Sequence, residues 1–123
     1  MAKKVALVGH CGPDSSYLRM IVQQAEKGVT VLSADDDEEL QKLVEGGVDL
    51  LLFNRQLEYG FANGSGAAVI KKLRTEHPGL KMMLVSNYPE AQAEAVANGA
   101  LPGFGKREIG TPRVVELIKG ALG

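Results

Sequence analysis

The run Val48-Asp49-Leu50-Leu51-Leu52-Phe53-Asn54 constrains the fold more than any other part of the sequence. Successive side chains of a strand point to opposite faces, so an unbroken apolar run needs a cover on both. That is the condition of a strand inside a parallel sheet with helices above and below. The run also delivers one polar amide, Asn54, to its carboxyl end, the edge at which ligands and chemistry gather in open α/β sheets.

The rest of the sequence supplies the other strands and the helices that cover them. Short apolar runs alternate with amphipathic stretches, about five times over, which is the pattern of repeated βα units. Val5-Ala6-Leu7-Val8 reads as the first strand. After the loop Gly9-His10-Cys11-Gly12-Pro13, a helix capped by Asp14 or Ser15 buries Tyr17, Leu18, Ile21, Val22 and Ala25. Val29 to Leu32 is the second strand, with Asp35 as the next cap and Asp36 to Glu39 as a first turn whose acids suit the helix dipole. Leu40, Leu43 and Val44 form that helix's apolar face, and Gly46-Gly47 ends it. The strand Val48 to Phe53 follows, then a long loop through Glu58-Tyr59-Gly60 and Ala62-Asn63-Gly64, before Val69, Ile70 and Leu73 mark a third helix that Pro78-Gly79 stops. Lys81 to Val85 is the fourth strand, Pro89 opens the fourth helix and Asn98-Gly99 closes it. A weak fifth strand lies at Leu101 to Phe104. Thr111-Pro112 starts a last helix with Val114, Val115, Ile118 and Leu122 inside. The expected architecture is one α/β domain over residues 1–123: a doubly wound, five-stranded parallel sheet of order 2-1-3-4-5, a flavodoxin-like three-layer sandwich.

Composition removes several classes of function. With 14 Lys and Arg against 15 Asp and Glu, the net charge of −1 offers no basic surface for nucleic acid or an anionic membrane. No apolar run approaches the ~18 residues of a membrane span. The N-terminus leads into a strand rather than a signal-peptide core, and the single Cys11 excludes an internal disulfide, so the expected location is the cytoplasm.

The sheet order gathers Gly9, His10 and Cys11 after the first strand, Asn54 after the third, Ser86 and Asn87 after the fourth and Lys106 after the fifth. Adjacent His10 and Cys11 are only two candidate metal ligands, and His77 falls at the opposite edge of the sheet, so no zinc site and no cofactor are expected. A thiol-enzyme reading of Cys11 is weak too. The cysteine-loop phosphatases place an arginine six residues beyond the cysteine, and that position is Tyr17, with Arg19 two further on. The loop Gly9 to Ser16 could cradle an anion on backbone amides, which makes a small-molecule or anion-binding domain the alternative reading, although the glycine spacing of nucleotide loops is missing.

Four pieces together carry a resemblance. They are the apolar strand ending at Asn54, Leu84-Val85-Ser86-Asn87, Ala97-Asn98-Gly99-Ala100 followed by Gly103-Phe104-Gly105-Lys106, and Gly66 with Val69-Ile70 and Leu73-Arg74. Over its whole length the chain resembles the receiver domains of bacterial two-component response regulators. The resemblance implies that Asn54 stands at the phosphoacceptor position, Ser86 at the Ser/Thr switch, Lys106 at the family's lysine and Phe104 at its aromatic switch. Gly9 and His10 stand where receivers carry an acidic pair that holds Mg²⁺.

Three carboxylates are thus replaced. An amide cannot act as the nucleophile that forms an acyl phosphate, and a hard divalent cation loses its anionic ligands. Two further departures are a link from Asn54 to Gly66 longer than the family's, and Arg107 after Lys106 in place of proline. The expectation is a degenerate receiver, not an enzyme, acting in signal transduction as a phosphorylation-independent interaction module. The resemblance implies docking of a protein partner or output domain on the face of the fourth helix, fifth strand and fifth helix. A homodimer is compatible with that face, and the chain reads as a piece of a longer protein.

Overall fold

A computed structural model describes residues 2–57 and 60–123; Glu58 and Tyr59, read above as part of a turn, lie outside the described residues. Strands β1 (Lys4–Val8), β2 (Thr30–Ala34), β3 (Leu50–Asn54), β4 (Met82–Val85) and β5 (Leu101–Phe104) alternate with helices α1 (Gly12–Ala25), α2 (Asp37–Glu45), α3 (Gly66–Glu76), α4 (Pro89–Ala97) and α5 (Pro112–Leu122). Every pairing is parallel and the order is β2-β1-β3-β4-β5, as expected.

Leu50, Leu51, Leu52 and Phe53 are all fully buried. Leu51 and Phe53 join Ala6, Val8 and Leu84 under α2, α3 and α4, while Leu50 and Leu52 join Val5, Leu7 and Val85 under α1 and α5. Each large apolar side chain moved from water into such a core stabilises by about 1.5–3 kcal/mol, so this strand anchors both layers at once.

Several boundaries differ from those read in the sequence, each for a local reason. β3 begins at Leu50 rather than Val48 because Asp49 turns its carboxylate onto the Lys4 N–H, at 2.8 Å. α1 begins at Gly12, before Asp14 and Ser15. Pro13 sets the first turn, Cys11 is the N-cap without a side-chain bond, and Asp14 is left free to pair elsewhere. Tyr17, expected in the buried stripe, is exposed, while Leu18, Ile21, Val22 and Ala25 are buried. Asp36, not Asp35, caps α2, accepting the Glu39 N–H at 2.7 Å, while the Glu39 carboxylate accepts the Asp35 N–H at 2.8 Å.

The junction of β4 with β5 is irregular. Met83 pairs Leu101 and Val85 pairs Phe104, so Pro102 and Gly103 together oppose Leu84, as in a β-bulge. Pro102 has no N–H to give, and the side-chain amide of Gln92 on α4 donates instead to the carbonyls of Leu84, Ser86 and Phe104, at 2.9, 3.1 and 3.2 Å. A Cβ at Gly103 would strike the Leu84 carbonyl.

The long segment after β3 is folded back on itself and docked. Gln56 and Ser65 form an antiparallel bridge, and Leu57 N–H donates to Gly64 O at 2.8 Å. Its far side is tied to α2: Ala62 N–H donates to the Asp37 carboxylate at 2.8 Å, and Asp37 N–H to Gly60 O at 3.0 Å. Leu57 is buried in the same core layer as Phe53. Replacing Leu57 by alanine is therefore expected to cost about 2 kcal/mol or more in urea denaturation, a core-sized loss; a change within about 0.5 kcal/mol, the usual surface value, would contradict the docked loop.

Candidate functional site

The loops leaving β1, β3, β4 and β5 meet at the carboxyl edge of the sheet, and the structure brings Gly9, His10, Asn54, Ser86 and Lys106 to that edge. Asn54 lies at its centre, half-buried. Its Nδ2 donates to Gly9 O at 3.1 Å and to Gln56 O at 3.0 Å, and its Oδ1 accepts the Arg55 N–H at 3.1 Å. Only an amide can do this, since both carbonyls need donors and the Arg55 N–H needs an acceptor. A carboxylate in this place would set an anionic oxygen against two carbonyl oxygens.

Gly9 has φ of +71°, and its N–H donates to Ala34 O at 3.0 Å. A Cβ on it would lie 2.5 Å from Leu57 Cδ2. Glycine is thus required both for the left-handed backbone and for the close approach of the β3–α3 loop. Leu57 and Phe61 stand over the end of β1.

His10 is buried. Its Nε2 lies 2.8 Å from the Leu52 carbonyl, which can only accept, so Nε2 carries the proton and Nδ1 presents its lone pair without a partner. Burial pushes its pKa down from 6.5 to about 4, against a smaller upward pull from the Leu52 carbonyl; nearby Lys106 lowers it further and Asp14 opposes that. The imidazole is neutral at neutral pH.

Lys106 does not reach for Asn54. Its Nζ lies 2.9 Å from Asp14 Oδ2, and this hydrogen bond holds the Asp14 carboxyl below the usual carboxylate range, with burial opposing. Asp14, read in the sequence as a candidate cap of the first helix, is instead the partner of the site's lysine. Its carboxylate also stands in the first turn of α1, which disfavours the anion-binding use of the Gly9 to Ser16 loop.

Ser86 is buried and its Oγ accepts the Tyr88 N–H at 3.1 Å, bracing the turn into α4. Asn87 Oδ1 accepts the Arg107 N–H at 3.0 Å, which ties that turn to the 3-10 turn Lys106–Glu108. Ser86, Asn87 and Lys106 line a shallow polar depression of about 260 Å³ beside Asn54. Phe104 is buried on the α1 and α5 side of the sheet, packed with Val85, Val114 and Ile118. Cys11 is exposed at the N-cap of α1.

The donor set does not fit the Mg²⁺ site that the fold family implies. Among the described residues no three His, Cys, Asp or Glu side chains converge to hold a metal ion. Of the carboxylates described at this edge, Asp14 is already paired with an ammonium, Asp35 lines the depression of Gly9, His10 and Asn54 with no second carboxylate in that lining, and the space above Gly9 faces Leu57 and Phe61.

Leu57, Phe61 and Gln92 carried no assignment from the sequence. An apolar pair inside a turn-rich loop was the available signal for the first two; Gln92 offered none beyond its place on a helix.

His10 makes the site acid-sensitive. A histidine whose folded pKa lies below its unfolded value gives stability that is complete above pH 6.5 and lost as pH falls towards about 4. Urea titrations are expected to show a slope approaching about 1.4 kcal/mol per pH unit in that window, which His10→Gln removes. Asp14 adds a loss in the same direction at lower pH, since its folded pKa is also depressed. A wild-type slope that survives His10→Gln would overturn the assignment.

No protein-family profile and no curated protein matches the sequence. Solved structures do match. A Burkholderia pseudomallei response regulator with a phosphorylated aspartic acid, calcium ion and citrate is 21% identical, with 98% of this chain and 66% of that one covered and a TM-score of 0.64. The receiver domain of an HD domain-containing protein from Pseudomonas fluorescens Pf-5 is 18% identical over 98% and 87% of the two chains, with a TM-score of 0.80. A putative response regulator from Chloroflexus aurantiacus J-10-fl is 18% identical over 99% and 98%, with a TM-score of 0.79. The chain has the fold of the response-regulator receiver domains of two-component systems.

Proposed function

We propose that this chain is a receiver-like signalling module that works without aspartyl phosphorylation and acts through protein contacts rather than catalysis. The observation that carries this reading is the wiring of Asn54. At the end of β3, where the resemblance to receiver domains puts a phosphoacceptor aspartate, the side chain is an amide with its N–H groups donated to Gly9 and Gln56. The electrostatics of the edge agree with it. His10 is neutral, and Lys106 is neutralised by Asp14.

The same reading puts the contact face on α4, β5 and α5, as the resemblance implies. Between α4, β5 and the 3-10 turn lies an open, mainly apolar groove of about 800 Å³, where Pro89, Ala93, Val96 and Pro102 meet the charged Arg107. Val96 is exposed on it. Exposed apolar surface of this kind suits a protein partner, an attached output domain or a second copy of the chain. Among the described residues no helix is long and apolar enough to cross a membrane, and a role in the cytoplasm belongs to this proposal.

Two measurements test it. Thermal melts with millimolar-range Mg²⁺ and beryllofluoride, or with acetyl phosphate, are expected to overlay the melt of the protein alone; a reproducible stabilisation would sink the reading. Asn54→Asp is expected to lower stability by about 1–3 kcal/mol, because two carbonyls lose their donors and face a carboxylate, and to leave the chain unresponsive to the same reagents. A variant of unchanged stability that beryllofluoride then stabilises would contradict the account.

A further inference from the structure

On the other side of α4 from the proposed docking face, a second groove of about 630 Å³ runs between that helix, the β3–α3 loop and the start of α3. Its floor is small and apolar: Ala67 and Ala91, with the fully buried Leu84 beneath. One wall carries Glu90 and Glu94, both exposed, one helical turn apart. Like charges at this spacing repel, and among the described residues neither carboxylate has an ion-pair partner, whereas Glu38, Asp14 and Glu108 each have one. At the end of the groove the Arg55 guanidinium lies over the Tyr88 ring, 4.7 Å from its centroid. The protein's own cation thus occupies the aromatic face beside the two glutamates without pairing with them.

We infer that this groove docks a basic segment of a partner protein, with a Lys or Arg stem along Ala67 and Ala91 and its cationic head at Glu90 and Glu94. A flexible, apolar-stemmed cation suits such a site because the stem covers the small side chains while the head stays hydrated near the carboxylates. The negative wall attracts it by charge complementarity, and the approach relieves the repulsion within α4. The occupant is taken to be a protein segment because the proposed role is that of an interaction module. In that respect the inference rests on that reading, although the groove lies apart from the Asn54 site.

The test is a titration of the ¹⁵N-labelled chain with the capped peptide Ala-Lys-Ala-Arg-Ala, followed by amide chemical shifts. Saturable shifts are expected at Gln56, Ser65, Ala67, Tyr88 and Ala91, and raising the ionic strength from about 0.05 to about 0.5 M should weaken them. The double variant Glu90→Gln, Glu94→Gln should weaken binding about fivefold or more. Arg55→Ala should tighten it, since a cation that lines the same groove and repels a basic peptide is gone. An acidic peptide of the same length should leave the spectrum unchanged. The inference is overturned by shifts elsewhere or none, by equal affinity in the double variant, by weaker binding in Arg55→Ala, or by free spermidine matching the peptide, which would indicate a diffuse counterion effect. Any of these failures leaves the beryllofluoride melts unaffected, so the two readings fail separately.

Discussion

The hydrogen bonds of one amide organise the functional edge of this domain. Asn54 leaves a fully buried strand and ties the backbone after β1 to the backbone after β3, through the carbonyls of Gly9 and Gln56 and the N–H of Arg55. Each bond alone is worth about 1 kcal/mol. Their importance lies in what they fix. With Gly9 held, Leu57 closes against it, and with Gln56 held, the long β3–α3 loop stays folded back and anchored on α2.

Other polar groups at this edge are satisfied in the same inward manner. Asn87 serves the 3-10 turn, Gln92 serves the bulge between β4 and β5, and Ser86 serves the turn into α4. Lys106 is neutralised by Asp14, and His10 is kept neutral by burial. In a receiver of the phosphorylated kind, charge at this edge would be held ready for a metal and a phosphoryl group. Here Asn54 and Lys106 are engaged with backbone carbonyls and a neighbouring carboxylate.

Much of this was legible in the sequence, because periodicity and turn residues report local rules. The apolar run of β3, the Pro89 and Pro112 starts and the Asn98-Gly99 stop fixed the elements, and the βα alternation with right-handed crossovers gave the sheet order. The placement of Asn54, Ser86 and Lys106 at one edge followed from that order. What could not be read are choices among competing partners across long sequence distance. Nothing near Asp14 shows that it will prefer Lys106 to capping α1, and nothing near Gln92 shows a bulge 10 to 11 residues downstream at Pro102 and Gly103. Tyr17 fits the helical stripe by spacing, yet the angular width of the buried face excludes it.

Asn54 is a hydrogen-bonded structural amide rather than an idle remnant facing solvent. Hydrogen exchange at its side-chain Nδ2 protons, followed by ¹⁵N spectroscopy, tests this most directly. Both protons are expected to be protected well beyond those of exposed amides such as Gln24, and to remain so when Mg²⁺ is added. Exchange at the rate of a free amide, or protection that Mg²⁺ abolishes, would contradict it.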